Sequence, residues 1–234
     1  MVDLFNALND IFLKMIDFVI RSAPFGVMAL MAGLVVDSSG DMSLFSALAV
    51  YGATVAFGMF FIILCVYPLM VKLFTKAPVK HFLKSAYPLQ ILAFSTSSSS
   101  AVMPVTMDVA KNKLGVSDET CSFVMPTGAT LNMDGTSCFQ AISVIFIAQV
   151  LGLDLTLSQI ITIIIMTTLS SIGTPGVPGG SYVVMTMVLT SVGIPPQGLA
   201  LILGIDRPLD MLRTSVNVTG DLVISLMVDP KENG

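Results

Sequence analysis

The feature that most constrains this chain is a group of charged residues inside a stretch that is apolar enough to cross a bilayer. The stretch covers residues 198–228. An ionised side chain at bilayer depth costs at least about 2.5 kcal/mol, so it normally faces the protein interior or a wet cavity. The helix that carries these charges must therefore be enclosed by other helices. The charged residues are Asp206, Arg207, Asp210, Arg213 and Asp221.

Most of these charges fall on one face of the predicted helix. With about 100° of rotation per residue, six polar side chains lie within an arc of roughly 100°. Carboxylates, a guanidinium, an amide and a hydroxyl then line one surface, which indicates a binding site for a small, polar, charged ligand. The six residues are Asp206, Asp210, Arg213, Thr214, Asn217 and Asp221.

The composition predicts an all-α, multi-pass integral protein of the cell (plasma) membrane. Mean hydropathy is +0.89, with 54% hydrophobic and only 11% charged residues, far from the averages of soluble proteins. The net charge of −4 and the lack of an extended basic patch argue against a nucleic-acid partner. The three cysteines have no metal-binding spacing. The first residues lack the positive cluster of a cleaved signal peptide.

The hydropathy predicts four membrane spans. The third is interrupted by residues 128–136, which include Asn132 and Asp134. In the fourth, Gly204 and Pro208 predict a break. The spans cover about residues 15–36, 45–72, 121–151 and 198–228.

Two segments look like re-entrant hairpins, because short apolar arms flank a small polar tip. The first tip is residues 95–100 and the second tip is residues 171–180. The lysine-rich stretch 72–84 is predicted to be cytoplasmic, so the first hairpin enters from the cytoplasm and the second from outside. A hairpin followed by a broken span occurs twice, which indicates an inverted repeat with broken helices at the midplane.

The charged face suits an acidic amino acid. Arg213 offers a planar fork for a carboxylate, Asp210 can receive an ammonium group, and Asn217 can hold a second carboxylate. The alternative is that Asp210 and Arg213 simply neutralise each other. Oxygen ligands from Asn132, Asp134, Asn217 and Asp221 favour Na+, and no organic cofactor is expected.

Four motifs resemble those of the dicarboxylate/amino acid:cation symporters, the family of the glutamate transporters and their prokaryotic aspartate-transporting homologues. The resemblance runs over nearly the whole chain and corresponds to the C-terminal transport half of that family. The motifs are Ser97–Ser100, Asn132–Thr136, Gly173–Pro178 and Asp210–Asp221.

The resemblance implies roles for individual residues. Arg213 would bind the substrate's side-chain carboxylate, Asp210 its amino group, and Asn217 with Thr214 and the first tip its backbone carboxylate. The substrate site would comprise Ser98, Ser99, Ser100, Thr136, Val177, Gly179, Asp210, Arg213, Thr214 and Asn217. The sodium sites would use Gly128, Thr130, Asn132, Asp134, Ser171, Ile172, Thr174, Asn217 and Asp221.

The resemblance also implies an elevator-type mechanism in which the second tip is the extracellular gate. Relatives form homotrimers through an N-terminal scaffold, which this sequence lacks, so it is expected to be a transport domain, a split half or a fragment. That transport domain would divide into residues 1–78, 79–151 and 152–234. Gln140 replaces a glutamate linked to proton and potassium coupling. Ser97 stands where some relatives carry an arginine in the first tip, and Arg207 is a candidate to replace that arginine.

Three other functions deserve comparison. A C4-dicarboxylate symporter of the same family would not need Asp210 as an ammonium acceptor. An intramembrane protease would show Gly-x-Gly-Asp or a membrane-embedded histidine, whereas residues 218–221 read Val-Thr-Gly-Asp, so no enzyme is predicted. A passive channel would not require the Asp210 and Arg213 pair. An isolated half that binds substrate without transporting it alone is a further alternative.

Overall fold

The structure is a computed structural model that describes residues 42–174 and 176–230, together with scattered positions between 11 and 36. The chain divides into two compact units, Met1–Phe45 and Ser46–Gly234. In the first unit, the described positions between 11 and 36 are helical, while much of the predicted span 15–36 lies outside the described residues. All regular secondary structure in the described ranges is helical, without a strand, which confirms the all-α class.

The helices succeed one another with short connections. One-turn π-helices cover Ile62–Val66 and Val109–Lys113, and a 3₁₀ turn covers Pro196–Leu199. The α-helices are α1 (Met42–Phe61), α2 (Tyr67–Phe74), α3 (Val79–Thr96), α4 (Ser99–Asp108), α5 (Asp118–Leu131), α6 (Asp134–Val150), α7 (Leu157–Ser171), α8 (Ser181–Ser191) and α9 (Ala200–Val228).

Within the described residues, three helical segments are long and apolar enough to cross a membrane. They are Ser43–Phe74, Asp118–Val150 and Pro196–Val228. They coincide with the predicted spans 45–72, 121–151 and 198–228, and they confirm a multi-pass membrane protein. The division of the sequence into 1–78, 79–151 and 152–234 stays a prediction.

One of the two predicted helix breaks is present and the other is not. Asn132 and Met133 leave the helical region between α5 and α6, inside the polar segment that the sequence marks. The predicted break at Gly204 and Pro208 is wrong, because α9 runs without interruption from Ala200 to Val228 with Pro208 inside it. The proline removes one backbone hydrogen bond. The other backbone hydrogen bonds of this 29-residue helix, together with its packing on several sides, keep it intact.

Helix α9 is the centre of the second unit. It packs against α2, α3, α4, α5 and α6, and every residue from Arg213 to Val223 is buried. Polar contacts fix α3 to it: Ser215 Oγ donates to the Gln90 carbonyl at 2.9 Å, and Gln90 Nε2 donates to Thr219 Oγ1 at 3.1 Å. The charged helix is thus enclosed, as the cost of buried charge in a membrane requires.

The two hairpin segments form packed helix pairs, α3 with α4 and α7 with α8. Ser97, in the first tip, adopts a left-handed conformation with φ of 51°, and Ser98 then caps α4 by accepting from the Ala101 N–H. Helix α7 begins with a capping box between Thr156 and Gln159. That these pairs re-enter the bilayer and form an inverted repeat stays a prediction.

The packing at Gly220 generates a prediction about stability. A Cβ atom there would lie 2.6 Å from the Tyr67 hydroxyl and 2.7 Å from Asn132 Nδ2. We expect Gly220→Ala to destabilise the protein by about 1–3 kcal/mol, the typical cost of overpacking. The measurement is the melting temperature in detergent, taken as the temperature at which the monodisperse peak in size-exclusion chromatography is lost, and it should fall. Gly52→Ala is the control, because its Cβ would meet only Ile205 Cδ1, at 3.5 Å. Equal melting temperatures for both variants would contradict close packing at Gly220.

Candidate functional site

Arg213 lies at the centre of the candidate site and is fully enclosed. Its Nη2 donates to Asp210 Oδ1, one turn earlier on α9, and its Nη1 lies 3.9 Å from Asp206 Oδ1. The guanidinium carbon stands 4.2 Å from the centroid of the Phe139 ring on α6, a cation–π contact. Two carboxylates and an aromatic face therefore balance one buried positive charge.

Four buried polar side-chain atoms in the described part of the chain have no hydrogen-bond partner. Two belong to α9, Asp206 Oδ1 and Arg213 Nη1, and two belong to the hydroxyls of Ser97 and Ser181. Leaving such atoms unpaired costs about 1–3 kcal/mol each, and more when they are charged. Ser97, Ser181 and Arg213 line one cavity, so this concentration of unpaired donors and acceptors points to a polar ligand.

The cavity is small and polar. Its volume is about 20 Å³, room for about one water molecule. An amino acid can enter only if the surrounding side chains and tips move apart. The lining residues are Ser97, Ser99, Met133, Thr136, Thr174, Gly176, Val177, Ser181, Asp210, Arg213, Thr214 and Asn217.

Seven of the ten predicted substrate residues line this cavity. The three others do not: Ser98 and Ser100 instead contact Gly176, and Gly179 packs against the Tyr182 ring. The seven that line it are Ser99, Thr136, Val177, Asp210, Arg213, Thr214 and Asn217.

The two tips touch each other directly. Ser98 Oγ donates to the Gly176 carbonyl at 2.9 Å, and the Ser100 N–H donates to the same oxygen at 3.3 Å. Gly176 makes this approach possible, because a Cβ there would lie 2.9 Å from both the Ala129 carbonyl oxygen and Ser100 Oγ. The second tip thus lines the cavity and is held by the first tip and by the end of α5.

Asn217 joins the substrate cavity to the interruption between α5 and α6. Its Oδ1 accepts from the Gly135 N–H at 2.9 Å, and its Nδ2 donates to Thr136 Oγ1 at 3.2 Å and contacts Met133 Sδ. The first N–H groups of a helix have no partner within it, so a side chain from α9 satisfies the start of α6.

Apart from Asn217, which lines the substrate cavity, the predicted cation residues form two groups. In the first, Asn132 Nδ2 donates to Asp221 Oδ1 at 2.9 Å, and the Asp221 carboxylate packs against the backbone of Gly128. Asp134 lies beside them and accepts from the Tyr67 hydroxyl at 2.9 Å. The described residues hold no cluster of three or more His, Cys, Asp or Glu, so any cation here must also use amide and backbone oxygens.

The second group lies where the second tip meets the end of α5. The Gly173 N–H donates to the Thr130 carbonyl at 3.0 Å, and the Thr174 N–H donates to the Ser171 carbonyl at 3.1 Å. Thr174 and Ser171 are buried, whereas the Ile172 side chain is exposed. An isoleucine side chain has no oxygen, so Ile172 could offer only its backbone carbonyl oxygen to a cation.

Several residues of the site were not predicted. Ser181 carries one of the unpaired hydroxyls, and Tyr182 interacts with the Asp206 carboxylate. Both begin α8 directly after the second tip, so the preference of helix starts for anions could have pointed to them. Met133 and Tyr67 carry no such signal, because their roles depend on contacts distant in sequence.

A larger groove lies elsewhere, between α1 and α6. It measures about 490 Å³, but no charged residue of α9 lines it. It is therefore separate from the site around Arg213. Its lining residues are Ser46, Ala47, Val50, Tyr51, Thr54, Ile142, Ile145, Phe146 and Gln149.

Comparison with known proteins gives consistent matches. Residues 1–231 match the sodium:dicarboxylate symporter family. The chain is 42% identical over 222 residues to excitatory amino acid transporter 3 of Mus musculus, covering 94% of this chain and 42% of that protein. It is 40% identical over 219 residues to excitatory amino acid transporter 1 of Mus musculus (94% and 40%). It is 39% identical over 227 residues to excitatory amino acid transporter 4 of Rattus norvegicus (97% and 40%). The chain spans about two fifths of the length of these curated relatives, which are transporters and not enzymes.

The contact between the tips generates a second prediction. We expect Gly176→Ala to hold the tips apart, because its Cβ would press on the Ala129 carbonyl. The measurement is the rate at which a polar maleimide labels Ser97→Cys, in a background where the native Cys65, Cys121 and Cys138 are replaced by alanine. The rate should rise several-fold with Gly176→Ala and stay unchanged with Gly52→Ala. Labelling of Ser97→Cys that is equally slow in all three proteins would refute the packed tips.

Proposed function

Because this chain belongs to the sodium:dicarboxylate symporter family, we propose that it forms the transport half of a secondary transporter that carries an acidic amino acid, aspartate or glutamate, together with Na+. The observation that supports this most is the buried Arg213, which lines a cavity between two polar tips and has one guanidinium nitrogen, Nη1, without a hydrogen-bond partner. A guanidinium fork pairs well with a carboxylate. The names of the relatives refer to excitatory amino acids, which agrees with this substrate class.

The neighbours of Arg213 favour an amino acid over a plain dicarboxylate. Asp210 is buried and shares its charge with Arg213 and with Arg207, whose Nη1 lies 3.6 Å from Asp210 Oδ2. A ligand carboxylate that binds Arg213 releases Asp210, which then keeps only the exposed Arg207 as a positive neighbour and is stabilised by a second one. The ammonium group of an amino acid supplies one. A C4-dicarboxylate does not, and it remains the second candidate substrate.

Sodium is the proposed coupling ion, carried with the substrate. Asp221 and Asn132, beside the Gly128 backbone, form one oxygen-rich group, and Asp134 lies close to it. The second group consists of the backbone oxygens around Thr130, Ser171, Ile172 and Thr174. Hard oxygen ligands without imidazole or thiolate suit an alkali cation.

The mechanism we propose combines a gate with an elevator movement. The second tip opens to admit substrate and closes over the cavity, and the transport half then moves as a body across the cell membrane. The static partner of this movement, and the interface of a homotrimer, would lie in a scaffold half supplied by sequence outside this chain. The two hairpins would enter the membrane from opposite sides.

Loss of the guanidinium tests the substrate site. We expect the purified protein to bind aspartate and glutamate in sodium buffer, to bind succinate more weakly, and to bind none of them in choline buffer. Arg213→Ala should weaken aspartate binding by roughly 2–5 kcal/mol, about 30-fold or more, in titration calorimetry. Arg213→Lys should recover only part of the affinity, because it keeps the charge but loses the fork.

Two results would count against this proposal. Unchanged aspartate affinity in Arg213→Ala would remove the arginine from the site. Succinate binding tighter than aspartate binding would favour the dicarboxylate symporter.

Loss of one carboxylate tests the cation site. Asp221→Asn keeps the shape and removes a negative charge next to Asn132, so we expect it to raise the sodium concentration needed for half-maximal aspartate binding. The measurement is a sodium titration at fixed aspartate. Asp118→Asn serves as the control, because Asp118 is exposed, pairs with Lys111 at 2.8 Å and begins α5, at the opposite end of that helix from Gly128 and Asn132. If the Asp221→Asn curve overlays that of the parent protein, the assignment is wrong.

A further inference from the structure

Tyr67, the first residue of α2, reaches across the second unit to both α6 and α9. Its side chain is almost fully buried, with 2% exposed. Its hydroxyl lies 2.9 Å from Asp134 Oδ2 and 3.2 Å from the Val216 carbonyl oxygen. Gly220 leaves room for it, because a Cβ there would lie 2.6 Å from the hydroxyl oxygen. The packing at this point is therefore built around a tyrosine hydroxyl.

The hydroxyl has one hydrogen and two acceptors. A phenol donates a single hydrogen bond, so the bond to Asp134 and the bond to Val216 compete. Val216 precedes Asn217, and Gly220 precedes Asp221, the two α9 residues proposed to hold cation and substrate. The hydroxyl therefore connects Asp134 to the turn of α9 that carries the other proposed ligands.

We propose that Tyr67 is a positioning residue that sets the sodium affinity of this protein and couples Asp134 to the cation group at Asp221. The inference rests on the proposed sodium-coupled function. The hydroxyl orients the Asp134 carboxylate, as second-shell donors commonly orient carboxylate ligands. The bond goes to Asp134 Oδ2 and leaves Oδ1 to bind the cation, so the hydroxyl holds the carboxylate in the orientation that the cation needs, while its position beside the Val216 carbonyl keeps α2 against α9 next to Asn217.

Removal of this one hydroxyl gives a sharp test. Tyr67→Phe keeps the ring and loses both hydrogen bonds. The half-saturating sodium concentration for aspartate binding should rise by roughly 10-fold, the lower end of the range for lost second-shell partners, and the dependence on sodium should become less cooperative. Aspartate affinity at saturating sodium should stay near the parent value, because Tyr67 does not line the substrate cavity.

Tyr51→Phe is the matched control. Tyr51 is equally buried, and its hydroxyl bonds to Ser143 Oγ at 2.7 Å instead of to a proposed cation ligand. This variant loses a buried hydroxyl too, so it should lower thermal stability and leave the sodium curve in place. A tyrosine fluorinated on the ring at position 67 keeps the shape and makes the hydroxyl a stronger donor, so it should shift the sodium curve in the opposite direction from Tyr67→Phe.

The possible results distinguish a failure of the role proposed for Tyr67 from a failure of the proposed sodium-coupled function. If Tyr67→Phe and Tyr51→Phe lose similar stability and share the parent's sodium curve, Tyr67 is only structural and this inference is overturned. If Tyr67→Phe does not fold, an unchanged sodium curve for the fluorinated protein overturns it equally. A parent protein that binds aspartate independently of sodium overturns the coupling function and this inference together.

Discussion

The guanidinium of Arg213 lies buried between the carboxylates of Asp206 and Asp210 and over the ring of Phe139, and the surrounding helices keep this group away from lipid. A charge that cannot be neutralised by proton loss forces its helix into the centre of the bundle. Helix α9 accordingly packs against five others. Its buried face needs polar partners throughout, which the tips and the interrupted α5–α6 segment provide.

The interruption between α5 and α6 and the polar face of α9 depend on each other. Non-helical backbone at membrane depth is tolerated only where protein or a cavity satisfies its polar groups. Here Asn217 accepts from the Gly135 N–H, and Tyr67 bonds to Asp134 at the start of α6. In return, Asn132 in the interruption donates to Asp221 on α9. A continuous α5–α6 helix would leave Asp221 without this partner.

The sequence allowed the local features to be predicted and left the long-range contacts open. The arc on α9 follows from helical periodicity, and the interruption at Asn132 follows from a glycine-rich polar segment inside an apolar span, so both could be predicted. The break at Pro208 could not be judged, because a packed helix tolerates the loss of one hydrogen bond. Tyr67 was missed because a buried tyrosine acquires its meaning only from residues far along the chain, such as Asp134, whereas Ser181 was missed although its place at a helix start was a usable signal.

The residues that form the buried ion pair, Asp210 and Arg213, are also the residues proposed to bind the ligand. Asp210 neutralises Arg213 in this structure, and the cavity beside them has room for about one water molecule. Under the proposed function, the carboxylate of an amino acid replaces Asp210 on the guanidinium, and its ammonium group then neutralises Asp210. Arg213 and Asp210 each keep an oppositely charged partner through this exchange, so binding avoids the several kcal/mol that an unpaired buried charge would cost. Under the proposed function, a ligand without the ammonium group leaves Asp210 with only the exposed Arg207 as a positive neighbour, so a ligand that carries an ammonium group is favoured.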